Sequence, residues 1–197
     1  FAGAVGGSTN LTGLTTSASA GSAGVVISGG AITTTGDLSI GNAITLGAST
    51  TLTSGNTLTL GAAITGAGYG LTVANNAVIS AALSGLSSLS IGGTTSLGGN
   101  VTTTGAQTYT GAVTLTGADR TLTSSSNGAI NLPAINGAFG LTISNGSGAI
   151  TLGAIGGTTP LTSLTLQGTG LNTLNGDINT SGAVDLKGTS RDRKSVV

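Results

Sequence analysis

The aspartates are the residues of this chain best suited to catalysis, and there are few of them. Asp37, Asp119, Asp177 and Asp185 are the only acidic residues before residue 190, and the whole chain has no histidine. General acid–base catalysis needs two carboxylates, or a carboxylate and a histidine, close together in a cleft. Most of these aspartates are far apart in the sequence, and aspartate is a favoured turn residue. We therefore interpret them as solvated turn residues, and we predict no catalytic residue and no enzyme.

The residues that usually hold metals and cofactors are also missing from the sequence. The chain has no cysteine and no histidine, so it has no thiolate or imidazole ligand. Calcium-binding glycine-rich repeats need an aspartate in nearly every nine-residue turn, and the stretch from Gly98 to Gly105 contains none. Gly156 and Gly157 are not followed by the lysine of a phosphate-binding loop. We predict no metal site and no cofactor.

The charge of the chain is low and unevenly placed. Charged residues make up 5% of the sequence, against about 25% in ordinary globular domains. The five basic residues are Arg120, Lys187, Arg191, Arg193 and Lys194. The last three of these fall within the final seven positions of the chain. No basic patch stands elsewhere, so we expect no nucleic-acid partner. No apolar stretch reaches the roughly 18 residues of a membrane-spanning helix, so we expect no membrane insertion by this segment.

Short strands with one aliphatic face are the main structural signal. Short segments alternate aliphatic with small or polar side chains, and glycine, asparagine or serine separates them. Alternation at a period of two places the aliphatic side chains on one face of a strand. We predict that twelve of these aliphatic residues point inward: Leu71, Val73, Leu89, Ile91, Val113, Leu115, Leu141, Ile143, Ile150, Leu152, Leu164 and Leu166.

The sequence repeats itself at long range. The segment from Ala4 to Leu14, AVGGSTNLTGL, returns at Ala154 as AIGGTTPLTSL, and a degraded copy lies halfway between them at Leu86 to Leu89. A second cassette, aliphatic-x-Thr-x-Gly, starts at Ile32, Val101 and Ile178 as ITTTG, VTTTG and INTSG. Fixed-period similarity of this kind marks a repeat architecture, here with a unit of about 75 residues. We place its copies at residues 1–78, 79–150 and 151–190, the last one partial.

These features together predict an all-β, right-handed parallel β-helix, or β-solenoid, built from repeats of about 75 residues. One coil cannot bury its aliphatic face alone, but stacked coils share a continuous core. Parallel crossovers are overwhelmingly right-handed. With three strands per coil, one repeat would make about three coils. A membrane barrel is disfavoured because it needs strands of about ten residues and aromatic girdles, and the chain has four aromatic residues.

The repeats resemble those of very large bacterial surface proteins, the filamentous haemagglutinin-like or autotransporter-type adhesins. The cassettes GAVGGSTNLTGLTT, VTTTGAQTYTGAVTLTGADRTLTS and GAITLGAIGGTTPLTSLTLQG carry this resemblance, which extends from Phe1 to about Ser190. It implies a secreted, outer-membrane-associated stalk or passenger segment that acts as a spacer or a low-specificity adhesion surface. The implied partners are glycans or proteins of host or neighbouring cells, and adjacent repeats of the same chain. The start at Phe1 and the lack of methionine lead us to expect a fragment of a longer protein.

The alternative function is a β-solenoid surface that binds glycans or ice. Thr33 to Thr35 and Thr102 to Thr104 each place two threonines on one side of a strand. Flat threonine arrays occur on ice-binding solenoids, but they need a threonine at the same place in every coil. Because the triplet recurs once per long unit, we regard these threonines first as ordinary exposed strand residues.

Residues 191–197, RDRKSVV, break the repeat pattern and carry four charges. The string DRKSVV is encoded by gat cgg aag agc gtc gtg, which resembles a common short-read sequencing adapter translated in frame. We therefore expect these residues to be non-native, with a charged disordered tail as the alternative, and we assign them no binding role.

Overall fold

The computed structural model describes residues 1–18 and 23–192, and throughout these residues the chain is all β, without a helix. Most strands are three residues long, because turn-forming residues interrupt the aliphatic alternation every few positions. In chain order the strands are β1 (Leu14–Thr16), β2 (Val25–Ile27), β3 (Ala31–Thr33), β4 (Leu38–Ile40), β5 (Ile44–Leu46), β6 (Thr50–Thr53), β7 (Leu58–Leu60), β8 (Ile64–Thr65), β9 (Leu71–Val73), β10 (Ala77–Ile79), β11 (Leu83–Leu86), β12 (Leu89–Ile91), β13 (Thr95–Leu97), β14 (Val101–Thr103), β15 (Gln107–Tyr109), β16 (Val113–Leu115), β17 (Arg120–Ser124), β18 (Ile130–Asn136), β19 (Gly140–Gly146), β20 (Ile150–Ile155), β21 (Ser163–Gly168), β22 (Leu171–Leu174), β23 (Val184–Leu186) and β24 (Thr189–Asp192).

The strands stack in parallel to form a solenoid with three faces, which confirms the predicted parallel β-helix. The first face holds β1, β4, β7, β10, β13 and β16, and the second holds the nine strands β2, β5, β8, β11, β14, β17, β19, β21 and β23. The third face holds β3, β6, β9, β12, β15, β22 and β24. β18 and β20 run across the corner between the third and first faces and join them into one fifteen-stranded sheet.

The core is a column of aliphatic side chains that runs along the axis of the solenoid. All twelve residues predicted to point inward are buried, and none is more than 2% exposed. The strands show why, since a pattern of buried, exposed and buried residues repeats from Ile44–Leu46 to Val113–Leu115. Stacked positions such as Ile44 and Ile64 place aliphatic groups directly over one another. Period-two alternation therefore predicted the core correctly.

The coils are shorter than the sequence repeats suggested. Ala77 pairs with Thr95 in the next coil, and near the start of the chain Leu14 pairs with Leu38. The difference in residue number between such partners is the length of one coil, which is 18 residues in the first case and 24 in the second. A repeat of about 75 residues therefore spans nearly four coils. The expectation of three coils per repeat was wrong.

The repeat is also out of step with the three faces. The cassette at Ile32 lies in β3 on the third face, and the cassette at Val101 lies in β14 on the second face, eleven strands later. The next copy, at Ile178, bridges Ile155, which stands over Ile135 and Val113 on the first face. Because eleven is not a multiple of three, each copy of the cassette falls one face behind the copy before it.

The threonine shared by all copies of the second cassette closes a corner of the solenoid. The Oγ1 of Thr34 donates a hydrogen bond to the carbonyl oxygen of Gly36, 2.9 Å away. In the other copies Thr103 donates to the carbonyl of Gly105 at 2.6 Å, and Thr180 donates to that of Gly182 at 2.9 Å. Thr34 and Thr103 are buried, so this bond also satisfies a hydroxyl inside the core. The motif that marks the repeat in the sequence is thus a structural corner.

The glycines of the first cassette have a backbone requirement. Gly6 and Gly156, which are equivalent in the two copies, adopt positive φ angles of 72° and 67°. A Cβ atom would collide with the carbonyl oxygen of Thr33 at the first site and with that of Asn179 at the second. Only glycine fits both the dihedral angle and the close approach of the next coil.

The C-terminal strand extends slightly further than the predicted repeat segment. β24 continues to Asp192, and Thr173 and Leu174 of β22 pair with Arg191 and Asp192. Residues 193–197, which make up most of the segment expected to be non-native, lie outside the described residues. The sequence units join without a break in the core, since residues 78 and 79 are both in β10 and residues 150 and 151 are both in β20.

Candidate functional site

Asp37, Asp119 and Asp177 stand at corners, as expected of turn residues, and two of them join one coil to the next. The expectation was wrong for Asp185, which lies in the middle of β23. The backbone N–H of Thr57 donates to Oδ1 of Asp37 at 3.2 Å, and that of Gly140 donates to Oδ1 of Asp119 at 2.8 Å. Both donors belong to the following coil: Thr57 lies at a corner, and Gly140 is the first residue of β19. These carboxylates act as structural hydrogen-bond acceptors, in agreement with their interpretation as turn residues.

Asparagines serve the same purpose at other corners. Oδ1 of Asn76 accepts from the N–H of Thr94 at 2.8 Å, and Oδ1 of Asn100 accepts from the N–H of Thr121 at 3.0 Å. All four bonds need only a side-chain oxygen as the acceptor. Aspartate and asparagine can therefore take the same corner position.

The remaining charged side chains do not assemble into a centre. Arg120 donates from Nε to the carbonyl oxygen of Thr116 at 3.1 Å and also contacts that oxygen through Nη2. Lys187 and Asp185 form an ion pair of 3.8 Å, with both side chains more than half exposed. Within residues 1–18 and 23–192, no group of three or more acidic, histidine or cysteine side chains could hold a metal.

Polar side chains form rows along the outside of the solenoid, which the sequence analysis missed. Most of the three-residue strands have a central outward residue, and parallel register places it over an outward residue of the coil before. The row on the third face is Thr51, Thr72, Ser90, Thr108, Asn131 and Thr151. The row on the first face, which Val78 interrupts, is Thr15, Ser39, Thr59, Val78, Ser96, Thr114 and Asn136.

The second face carries a double row over its later coils. One row contains Asn100, Thr121, Thr142 and Thr165, and the other contains Thr102, Thr123, Ser144 and Gln167. Neighbouring strands are about 4.8 Å apart, so the side chains form a regular grid of hydroxyl and amide groups. Hydroxyl groups therefore recur at the same place in successive coils. The threonine triplet itself recurs only once per repeat, and strands outside the triplet supply the other hydroxyl groups of the rows.

An outward-facing cleft of about 480 Å³ interrupts this regularity at the corner between the third and first faces. Its lining includes Asn131 and Pro133 of β18, Thr151 and Ala154 of β20, and Asn175, which follows β22. The lining also includes Tyr109, although the side chain of this tyrosine is almost wholly buried.

A second cleft, of about 620 Å³, lies at the end of the second face. Its lining includes Gln167 of β21 and Lys187, which follows β23. The side chain of Lys187 is 63% exposed and pairs with Asp185. This cleft is therefore a shallow, solvated depression with a single cationic group.

A small polar group lies inside the core beneath the first cleft. The Nε2 atom of Gln107 donates to Oγ1 of Thr103 at 3.3 Å, and the hydroxyl of Tyr109 donates to Oε1 of Gln107 at 3.5 Å. All three side chains are buried. Burial raises the pKa of the Tyr109 phenol above its usual range, so the phenol stays protonated and acts as a donor. These residues are enclosed and hold neighbouring segments together.

Comparison with known proteins identifies no relative: no family model, no curated protein and no solved structure matches the chain. Among the described residues, no helix is long and apolar enough to cross a membrane. The candidate functional features of the chain are accordingly its outer rows and its clefts.

Proposed function

We propose that this chain is a structural stalk or passenger segment of a secreted bacterial surface adhesin, acting as a spacer or as a low-specificity adhesion surface. The observation that carries the proposal is the uniform stacking of coils around one continuous aliphatic core. Nine strands on the second face, about 4.8 Å apart, give a rod about 40 Å long. Its resemblance to the repeats of filamentous haemagglutinin-like and autotransporter-type adhesins supports the cell-surface setting.

The outer rows fit a spacer that must stay exposed without attracting unrelated molecules. Serine, threonine and asparagine cover the faces, and charges are sparse. Such a surface is hydrated but has no strong field that would draw charged partners. A low-specificity contact with neighbouring cells would then come from many weak hydrogen bonds along the rod.

The experiment that tests this proposal is localisation on intact cells. Antibodies raised against the recombinant chain should label cells of the source organism without permeabilisation. An in-frame deletion of the segment should leave the rest of the protein exported but weaken attachment between cells or to a surface. Labelling that appears only after permeabilisation would overturn the proposal.

The double row on the second face favours ice binding as a second candidate function. The grid of Thr121, Thr123, Thr142 and Ser144 is the flat, repeated hydroxyl arrangement that this function needs. The recombinant chain should then slow the growth of ice crystals, and Thr123→Asp combined with Thr142→Asp should abolish the effect. The same ice growth rate with and without the protein would exclude this candidate.

A further inference from the structure

The cleft at the corner between the third and first faces has a clear structural cause. β18 and β20 cross this corner as continuous strands, whereas earlier coils turn there. Gly153 stands between Pro133 and the coil that carries Asn175, and a Cβ atom at Gly153 would collide with the carbonyl oxygen of Pro133. The glycine is therefore required by the close approach of the two strands. It lets β18 and β20 stack closely where Gly153 lines the cleft.

The polar groups at this cleft are free to bind another molecule. The side chains of Asn131, Thr151 and Asn175 form no hydrogen bond with any other described part of the chain. Asn131 and Thr151 are paired positions on neighbouring strands, so the two side chains stand side by side. Two amides and a hydroxyl provide both donors and acceptors within one cleft.

The remaining lining determines what kind of molecule fits. Pro133 and Ala154 are exposed and apolar, and none of the residues that line the cleft is charged. An anionic ligand would need basic side chains, and a cationic ligand would need carboxylates or an exposed aromatic face. A neutral molecule that alternates hydroxyl groups with C–H faces matches amides and hydroxyls set beside apolar side chains. Saccharides have this chemistry, and the cleft is within the usual size range of small-molecule sites.

We propose that this cleft binds a neutral saccharide, with Asn131, Thr151 and Asn175 hydrogen-bonding its hydroxyl groups and Pro133 and Ala154 packing against its ring. The proposal deepens the proposed adhesion function and rests on it for its biological meaning. It gives a stalk of otherwise uniform coils one specific contact point for the carbohydrate of a neighbouring cell.

The test is a titration of the isotope-labelled full chain, followed by two-dimensional NMR. The probes are four neutral tetrasaccharides (cellotetraose, maltotetraose, mannotetraose and tetra-N-acetylchitotetraose) and one anionic tetrasaccharide, tetragalacturonate. At least one neutral probe should shift the amide signals of Asn131, Thr151 and Asn175, while tetragalacturonate should not. The Asn131→Ala/Asn175→Ala variant should weaken that binding by about tenfold or more, as expected for lost hydrogen bonds in a site.

Two further variants separate binding from folding. Asn56→Ala/Asn75→Ala removes two exposed amides elsewhere on the surface and should leave the titration unchanged. Ala154→Phe fills the cleft from an exposed position and should block binding while the rest of the spectrum stays that of the folded chain.

The proposal is overturned if no neutral probe shifts the signals at the cleft. It is also overturned if the anionic probe binds equally well, or if the double alanine variant binds as tightly as the parent chain. Surface labelling of cells is a separate result. A chain that binds the saccharide but is never exposed on cells would refute the adhesin proposal and leave the cleft assignment standing.

Discussion

The side-chain amide of Gln107 donates a hydrogen bond to the backbone carbonyl of Thr123, 2.8 Å away in the next coil. Gln107 is fully buried, so this bond joins two coils from inside the core. Removing the amide would leave the half-buried carbonyl of Thr123 without this partner, at a desolvation cost. The glutamine therefore fixes the register of these two coils more strictly than an aliphatic residue at position 107 would, because an aliphatic side chain forms no directional bond.

Replacing Gln107 by leucine should destabilise the chain although the volume is nearly kept. We expect a loss of about 1–3 kcal/mol in the free energy of unfolding, because Thr123 and Tyr109 both lose a partner. Urea denaturation followed by circular dichroism measures this change. The matched control is Gln167→Leu at an exposed glutamine of β21, with an expected change within about 0.5 kcal/mol. An unchanged or higher stability of Gln107→Leu would show that the buried amide does not support the fold.

Tyr109 should make the chain less stable at alkaline pH. Burial raises the pKa of its phenol, whereas in the unfolded chain the phenol ionises near pH 10. Above that pH the folded state holds a proton that the unfolded state has released, so stability falls as the pH rises. The contribution is fully present below about pH 9.

The Tyr109→Phe variant isolates this effect. It has no phenol to ionise, so its urea midpoint should fall less between pH 8 and pH 11 than that of the parent chain. Parallel pH profiles for the two proteins would mean that Tyr109 is not responsible for any alkaline loss of stability.

The corners should tolerate insertions that the strands cannot. One serine inserted between Asn75 and Asn76, outside the strands, should lower the free energy of unfolding by no more than about 1–2 kcal/mol, because it disturbs only the corner hydrogen bonds to Gly93 and Thr94. The same serine inserted between Thr72 and Val73 of β9 reverses the alternation, turns the buried Val73 outward and disturbs the pairing with β6 and β12. We expect the second protein to lose several times more stability, measured by thermal and urea unfolding. Equal losses would indicate that in–out alternation does not govern this region.

We expect the chain to fold after whole strands are deleted. Folding should depend little on whether the strands after the deletion stay on their original face. Deleting residues 77–94 removes one coil and lets Thr95 take the place of Ala77 over Leu58. Deleting residues 77–100 removes four strands and brings Val101 to that place, one face away from its own. Because each copy of the natural repeat changes face, we expect both proteins to be soluble and to have β-type circular dichroism spectra.

The two deletions differ by one strand, β13, and this strand decides whether the strands beyond the junction keep their face. Leu97→Ala, at a buried strand position, should cost about 2–5 kcal/mol, and this variant calibrates the effect of a real defect in the core. If the four-strand deletion aggregates while the one-coil deletion folds, the faces are not interchangeable. In that case the change of face between repeats must depend on specific contacts between particular coils.

Local pattern was enough to predict which residues are inside, but not which residues are neighbours. The alternation around Leu71 and Val73 depends on one strand, and the burial of both followed from it directly. The row from Thr51 to Thr151 depends on corner lengths, and these lengths vary along the chain, so the distance in sequence between stacked partners also varies. The alignment of hydroxyls on successive coils was therefore hidden in the sequence.

The cleft and the buried polar group were missed for the same reason. Gly153 is one of 37 glycines, and nothing nearby in the sequence shows that Pro133 packs against it. Gln107 begins its strand, and a polar residue at that position predicts exposure rather than burial. Its partner Thr123 comes close only when the coils are stacked. Asp37, Asp119 and Asp177 were correctly placed at turns because turn preference is a local property. The same preference failed for Asp185, which pairs with Thr165 inside β23.

The eleven-strand repeat has a consequence for how a gene of this kind can change. Recombination between similar copies adds or removes one whole copy at a time, and the new junction keeps the aliphatic phase of the core. Everything beyond the junction is nevertheless turned about the axis by one third of a revolution. Loss of a single copy would thus redirect every distal surface feature, including a saccharide cleft, without any substitution. Only the loss or gain of three copies would return each distal feature to its original direction about the axis.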